Sequence, residues 1–325
     1  MKKEIVITGV AGFIGYSVAK RLLDLGYTII GIDNLSDYYD VSLKEYRLKI
    51  LKYYGDNFIF YKKDISNMES MRTIFSLHDP DKIINFAAQS GVRYSIDHPE
   101  NYISTNLCGF ANILEMARMR KTPLIYASSS DVYGNSVTPS FCETEDTSKA
   151  VSLYAASKKA NEVMAHSYSH LFEIPTIGLR FFTVYGPWGR PDMALFKFTQ
   201  KILNGEQIDV YNNGEMYRDF TFIDDIVNGV LSALSYDMNA YEKPYEIFNL
   251  GCGNTRKLID FVKFIELYCE KEADINYMPL QPGEVLKTSA DISKAKRLLN
   301  FNPKIGIEDG VLRFIEWFKG YSVGN

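Results

Sequence analysis

Short apolar runs alternate with amphipathic stretches through the first half of the chain. EIVITGV (residues 4–10) is β-branched and runs into glycine, which predicts a buried strand. FIGYSVAKRLLDLG (13–26) carries apolar residues at helical spacing and closes on Gly26, which predicts a helix. YTIIGID (27–33) and NFIFYKKDI (57–65) predict a second and a third strand. MESMRTIFSLH (68–78) predicts a helix, DKIINFAAQ (81–89) a fourth strand, NLCGFANILEMARMR (106–120) a helix and PLIYASSS (123–130) a fifth strand. A helix through VSLYAASKKANE starts near Val151, and TIGLRFF (176–182) is a further strand after Pro175. Strands alternating with helices imply an α/β fold with a doubly wound parallel sheet of Rossmann type, helices covering both faces.

After Gly186 the rhythm breaks. GPWGRPDMALF (186–196) reads as a loop rich in Gly and Pro, and IDVYNNGEMYRDFTFIDD (208–225) as a small strand-and-turn region before another helix. QPGEVLKTSADISKAKRLLNFNP (281–303) mixes loop and helix. The domain change is expected near residue 182, a smaller α/β domain filling 183–325 and some later segments, about 219–250, returning to the first.

Composition narrows the class. The 325 residues are 46% hydrophobic and 23% charged with a net charge of −4, a globular balance with no basic tract to favour nucleic acid. No apolar run is long enough to span a bilayer, and the run after Met1-Lys2-Lys3 reaches glycine too soon for a signal peptide, so a cytoplasmic protein is expected. Cys108, Cys142, Cys252 and Cys269 match no zinc or redox spacing and are read as free thiols. His166 and His170 stand four apart on the Val151 helix, but no third ligand accompanies them, and no metal is expected.

TGVAGFIG places Gly9, Gly12 and Gly15 between the first strand and the first helix. Glycines let the backbone turn tightly and approach a pyrophosphate, and the helix start offers N–H groups and a favourable dipole. The spacing is GxxGxxG, not the commoner GxGxxG. Asp33 ends the second strand, where a carboxylate accepts from a ribose 2′-hydroxyl and repels a 2′-phosphate. Asn34 and Leu35, which follow it, supply no arginine, so NAD is favoured over NADP; an acidic turn residue is the alternative.

Tyr154 and Lys158 lie one helical turn apart, downstream of the hydroxyl run Ser128, Ser129, Ser130. An ammonium near a phenol favours the phenolate and lowers a usual value of about 10, a positive nicotinamide would push the same way, and Tyr154 is then expected to act as a base near neutral pH. A surface helix with a half-buried tyrosine is the alternative.

Nine segments in one order carry a resemblance: TGVAGFIG, DNL, FAAQSGVRYS, NLCGFANIL, ASSSDVYG, YAASK, LRFFTVYGP, YRDFTFIDD and PGEVLKTSAD. With them the chain resembles the extended short-chain dehydrogenase/reductases over nearly its whole length. Within these, AAQSGVRYS and LRFFTVYGPWGRPDMA look like the nucleotide-sugar 4-epimerases that act on UDP-glucuronate. The resemblance implies an isomerase that keeps NAD bound. Tyr154 takes the C4 hydroxyl proton while NAD oxidises C4, the 4-keto sugar turns over, and reduction from the other face gives the epimer. It implies that Lys158 also holds the nicotinamide ribose, that Ser129 bonds the sugar O4, and that Asn106 supports them, a local turn bond being the alternative for Asn106. It adds Phe13, Ile14, Asn34, Asp64, Ile65, Ala87 and Ala88 to the cofactor residues, Asp64 meeting the adenine amino group. Arg218 is assigned to the diphosphate, with an ion pair to Asp219 or Asp224 as the alternative. Arg93 and Arg190 are placed at the substrate, with ordering of its own loop as the alternative for Arg93. A homodimer is implied, built on the helices after Asn106 and through Tyr154.

Once C4 is oxidised, the substrate's carboxylate is β to a ketone and can leave as CO₂. Neutral hydroxyl donors could hold it out of line with the carbonyl π system, and Ser128, Ser130 and Thr183 are the candidates, the serines alternatively capping the fifth strand. Asp131 is unusual there: it either points away to backbone or marks a change to a neutral UDP-sugar such as UDP-N-acetylglucosamine or UDP-glucose. Rival readings are a 4,6-dehydratase, whose Asp-Glu pair is replaced here by Ser130-Asp131, a UDP-glucuronate decarboxylase, and a non-catalytic NAD-sensing regulator, against which the intact Ser129, Tyr154 and Lys158 argue.

Overall fold

The computed structural model describes residues 3–237, 244–280 and 285–323. Seven strands make the main sheet: β1 (Glu4–Thr8), β2 (Thr28–Asp33), β3 (Phe58–Lys62), β4 (Lys82–Asn85), β5 (Leu124–Ser129), β6 (Thr176–Phe181) and, after the shorter strands below, β10 (Tyr245–Leu250). Their order is β10-β6-β5-β4-β1-β2-β3, and every neighbouring pair is parallel. Such strands are buried on both faces, which explains the near-continuous apolar runs in the sequence. Ile5 and Ile7 pack in one layer with Val18 and Leu22 of the helix Phe13–Asp24. Val6 points the other way, with Met71 of the helix Met68–Leu77 and Ile113 of the helix Phe110–Arg120.

The chain builds outward from β1 through β2 to β3, then crosses back to β4. The strand order therefore reverses between β1 and β4, and a crevice opens beyond their carboxyl ends. The glycine loop and residues 86–89 both enter it. A second layer is built from β7 (Thr183–Tyr185), β9 (Tyr217–Phe222) and β11 (Thr255–Lys257), in the order β11-β9-β7, and from the parallel pair β8 (Ile208–Tyr211) and β12 (Ile275–Met278). The helix Ile223–Ser235 packs against the helix Phe13–Asp24, while β10 extends the main sheet beyond β6.

Two elements differ from the sequence pattern. The helix expected from Asn106 becomes α-helical at Phe110; Ile103–Gly109 is a π-helical turn. Asn106 sits in this wider turn, and its carbonyl accepts from the Asn161 side chain at 2.6 Å. The helix Val41–Lys52, which the apolar pattern does not announce, is capped by Asp40, whose carboxylate accepts from the Ser42 amide. Its inward face carries Lys44 and Arg47 beside Leu43, Leu48 and Leu51, so much of that face is cationic. In PGEVLKTSAD, residues 282–284 lie outside the described residues. No described helix is long and apolar enough to cross a membrane.

Candidate active site

One cavity of about 1130 Å³ runs from the glycine loop, past Tyr154, to Arg218 in the second layer. It exceeds the usual range for a single drug-sized ligand. Its first wall is the loop after β1. Gly9 has φ +68°, and a Cβ there would lie 2.7 Å from the Ala87 amide nitrogen. A Cβ on Gly15 would lie 2.1 Å from the Gly9 carbonyl oxygen. The helix starting at Phe13 is capped by Gly12 with no side chain bonded to its first amides. The loop is thus a tight, side-chain-free cradle at a helix start, which fits a dinucleotide pyrophosphate.

Asp33 is buried at the end of β2. Its Oδ2 accepts from the Ala11 amide at 3.0 Å and its Oδ1 from the Leu35 amide at 2.8 Å. Burial raises its carboxyl above the usual value, against those amides and the charges of Lys44 and Arg47. Asp33 therefore also fastens the glycine loop. The basic residues beside it are engaged: Lys44 donates to the Ser36 carbonyl, and Arg47 Nη1 donates to the Ala11 carbonyl at 2.8 Å and the Tyr39 hydroxyl at 2.9 Å. Arg47 Nη2 reaches the carbonyls of Trp188 and Gly189, so one buried guanidinium ties the glycine loop to the loop after β7. Sequence reasoning missed Arg47; its signal was a cation one helical turn from both Leu43 and Leu51, on their face. Asp64 accepts from Asn34 Nδ2 at 2.7 Å and from the amide and hydroxyl of Ser66, which hold its carboxyl below the usual range although burial works the other way. Phe13, Ile14, Ile65, Ala87 and Ala88 line the same stretch of cavity.

The middle of the cavity holds the tyrosine–lysine pair. The helix Leu153–Phe172 begins at Ser152, whose hydroxyl accepts from the Ala155 amide at 3.1 Å. That cap sets Tyr154 in the first turn and Lys158 one turn later, both facing the cavity. Lys158 Nζ lies 6.0 Å from the Tyr154 ring centre and donates to the Ala127 carbonyl at 3.0 Å. Burial lowers the Lys158 ammonium to about 8. Lys158 alone does not lower the Tyr154 phenol. Burial, with the charge of Asp131 acting the same way, pushes the phenol up to about 12, while the Ser129 hydroxyl and Arg190 pull it down. Lys158 is directed at the Ala127 carbonyl, and burial rather than its charge governs the phenol.

The side chain of Asn106 bonds beyond its own turn. Its amide exchanges bonds with the Gln89 backbone, accepting from N at 2.8 Å and donating to O at 2.9 Å, and it also donates to Ser157 on the Tyr154 helix at 2.9 Å. It thus joins the crevice loop to that helix.

The three serines at the end of β5 divide. Ser128, expected at the substrate, gives its hydroxyl hydrogen to Glu162 Oε1 at 2.7 Å, inside a buried ion pair with Arg180. With its single hydrogen committed, it is no donor for a substrate carboxylate. Ser129 donates to Asp131 Oδ2 at 2.8 Å, so Asp131 faces the cavity rather than pointing away. Ser130 and Thr183 line the cavity as expected. Arg190 lines it too, its Nε donating to Asp192 Oδ1 at 2.9 Å; this pairing raises its guanidinium although burial opposes the charge. Tyr38 donates to the same Asp192 at 3.2 Å.

At the far end Arg218 donates to the carbonyls of Tyr217 at 3.0 Å and Leu286 at 3.3 Å. The acids considered as its partners are held elsewhere: Asp219 accepts from the amides of Cys252, Gly253 and Ala290, and Asp224 lies 3.8 Å from Arg313. Arg93 stacks over the Tyr211 ring at 4.2 Å, joining the loop after β4 to β8 across the cavity. Away from it, His166 and His170 stack on each other, His166 edge-on to Tyr245, and all four cysteines are free thiols.

A parallel sheet with its reversal at β1 and β4, a glycine cradle, and a Tyr–Lys pair beside a hydroxyl turn define an extended short-chain dehydrogenase/reductase of the nucleotide-sugar type. The family model described as GDP-mannose 4,6 dehydratase matches residues 6–314, and the chain belongs to that family. It is 47% identical to protein CapI of Staphylococcus aureus, covering 98% of this chain and 99% of that one. It is 42% identical to a probable UDP-glucuronate 4-epimerase of Rhizobium meliloti, covering 96% of each chain. The crystal structure of UDP-glucuronic acid 4-epimerase from Bacillus cereus, in complex with UDP-glucuronic acid and NAD, superposes with a TM-score of 0.91 at 32% identity, over 98% of this chain and 99% of that one.

Proposed function

We propose that the protein is an NAD-dependent 4-epimerase that interconverts UDP-glucuronate and UDP-galacturonate through a transient 4-keto sugar. The observation that carries this reading is one continuous cavity joining the glycine cradle, the Ser129–Tyr154–Lys158 group and Arg218. NAD, when bound, supplies the redox chemistry at C4. Gly9, Gly12 and Gly15 with the first amides of their helix cradle its pyrophosphate, Asp33 receives the ribose, and Asp64 the adenine. Tyr154 moves the C4 proton, and Lys158, neutral or charged near its shifted value of about 8, sits beneath it against the Ala127 carbonyl. Arg218 holds the diphosphate, and a remote handle of this kind lets the sugar turn without leaving. Ser130, Thr183 and Arg190 are the groups left to orient the substrate carboxylate, since Ser128 is committed to Glu162.

The reading divides the chain at residue 182 into a cofactor part and a nucleotide-sugar part, with the helix Ile223–Ser235 and β10 returning to the first. It places the enzyme in the cytoplasm as a homodimer. Met119, Val163, Leu171 and Phe172 leave apolar surface on the two helices proposed to pair, between 44% and 65% exposed.

The deciding experiment follows UDP-glucuronate by NMR without added cofactor. UDP-galacturonate with little UDP-xylose is expected; UDP-xylose as the main product overturns the reading. One observation favours a second substrate class: the carboxylate of Asp131 inside the cavity would repel a uronate and suits a neutral sugar. Brisk epimerisation of UDP-N-acetylglucosamine beside inert UDP-glucuronate would decide for that class.

A further inference from the structure

Three loops meet at the phenol of Tyr38. The residue lies in the turn that joins β2 to the helix Val41–Lys52. Its ring is edge-on to Tyr94, from the segment after β4, with ring centres 4.7 Å apart. A Cβ on Gly91, in that same segment, would lie 2.5 Å from the Tyr38 hydroxyl oxygen, so a glycine there lets the phenol pass. The hydroxyl donates to Asp192 Oδ2 at 3.2 Å, in the loop after β7 and 154 positions along the chain. Tyr38, Asp192 and Arg190 all line the cavity.

Asp192 in turn grips Arg190. Its Oδ1 accepts from Arg190 Nε at 2.9 Å and its Oδ2 from Nη2. These bonds use one edge of the guanidinium, and Nη1 lies outside them. The guanidinium carbon is 5.8 Å from the Tyr38 ring centre. The next residue, Tyr39, serves the other end of the same loop. Its hydroxyl accepts from Arg47 Nη1 at 2.9 Å, and Arg47 Nη2 donates to the carbonyls of Trp188 and Gly189. Residues 188–189 and residue 192 are thus held by groups that follow β2, and Arg190 stands between them.

We propose that Tyr38 is a positioning residue for Arg190: by binding the Asp192 carboxylate it fixes the edge of the guanidinium that Asp192 grips, and leaves Nη1 to meet a carboxylate on the substrate sugar. The arginine on the substrate side is then aimed from the cofactor half of the chain. A long side chain with much rotamer freedom gains most from such a fixed partner. The proposal rests on the reading of Arg190 as a group that orients the substrate carboxylate.

Tyr38→Phe keeps the ring and removes the hydroxyl. Its effect is measured by calorimetry in a Tyr154→Phe background, which stops turnover, with NAD saturating. The ligands are UDP-glucuronate and UDP-glucose, which carries a hydroxymethyl group in place of the carboxylate. UDP-glucuronate should bind about three- to tenfold more weakly, and UDP-glucose should stay within about twofold of the parent. With Arg190→Met added, Tyr38→Phe should change UDP-glucuronate affinity by less than about twofold, because its effect runs through the guanidinium. Equal losses for the two sugars, or a full loss that persists with Arg190→Met, overturn the proposal.

A second readout needs no substrate. In protein carrying isotope-labelled arginine, the Nε–H signal of Arg190 is identified by its absence in Arg190→Met. Its exchange with solvent should be at least about threefold faster in Tyr38→Phe; an unchanged rate overturns the proposal. The two readings fail separately. If Arg190→Met weakens UDP-glucuronate and Tyr38→Phe does not, Tyr38 has no positioning role. If Arg190→Met leaves the preference for UDP-glucuronate over UDP-glucose intact, the assignment of Arg190 to the carboxylate fails, while the Nε–H exchange still decides whether Tyr38 fixes the guanidinium.

Discussion

Glu162→Gln tests the support beneath the site. Glu162 and Arg180 are 1% and 2% exposed, and their bond is bidentate, Nε to Oε1 at 2.7 Å and Nη2 to Oε2 at 2.9 Å. Ser128 donates to the same carboxylate at 2.7 Å, and Arg180 lies over the Tyr133 ring at 4.7 Å. The substituted amide would retain the shape but leave a buried guanidinium without its counter-charge, which costs about 3–5 kcal/mol when one partner of a buried pair is removed. The amide keeps one acceptor, so the lower end, about 3 kcal/mol, is expected. This is a large fraction of an ordinary folding stability of about 5–15 kcal/mol. The exposed pair Arg313–Asp309, 43% and 49% accessible, is the control, and Asp309→Asn should cost about 1 kcal/mol or less. Urea unfolding with bound NAD held saturating measures both, provided two probes give one transition. The pH dependence has a definite sign. Burial raises the Glu162 carboxyl, but the bonds and charge of Arg180 outweigh it and its net value is lowered. Its stabilisation is therefore full above the unfolded value of about 4.3 and is lost as pH falls through the lower folded value, so variant and wild type should converge in acid. A loss below about 1 kcal/mol at neutral pH, or a gap that persists unchanged in acid, would refute the argument.

Tyr154→Phe should lower kcat by more than about tenfold, roughly 1.4 kcal/mol of barrier, with NAD and UDP affinities nearly intact by calorimetry; a smaller loss argues against Tyr154 as the base. Ser128→Ala should keep kcat within about threefold, because its hydrogen goes to Glu162, yet lower stability by about 1.5 kcal/mol for a bond to a charged acceptor; a large kcat loss without destabilisation would return Ser128 to the substrate. Purified protein should carry NAD(H), and Asp33→Ala should weaken NAD and relax discrimination against NADP. If the wild type prefers NADP in an equilibrium binding assay, Asp33 has been misassigned.

The parts of this molecule legible in the sequence are those where one residue type answers one physical demand. The strands of the sheet read directly because a parallel strand is buried on both faces, so the apolar runs EIVIT and TIIGID admit little else. Gly9 and Gly15 read because no other residue fits their contacts. What did not read depends on where a polar hydrogen goes. Ser128, Ser129 and Ser130 are alike as letters, but Ser128 is claimed by Glu162, 34 positions on, and Ser129 by Asp131, two positions on. The influence of Lys158 on Tyr154 did not read either. A lysine at i+4 suggested a stabilised phenolate, but its ammonium is spent on the Ala127 carbonyl, and the larger influences are burial and Asp131. Val41–Lys52 was missed because its buried face is partly cationic, and the Arg47 cation satisfies carbonyls contributed by the glycine loop and by residues 188–189. In each case the deciding partner lies outside the element that carries the residue. A helix or strand is thus a local inference, whereas the chemistry of a hydroxyl or phenol belongs to the whole hydrogen-bond chain that ends on it.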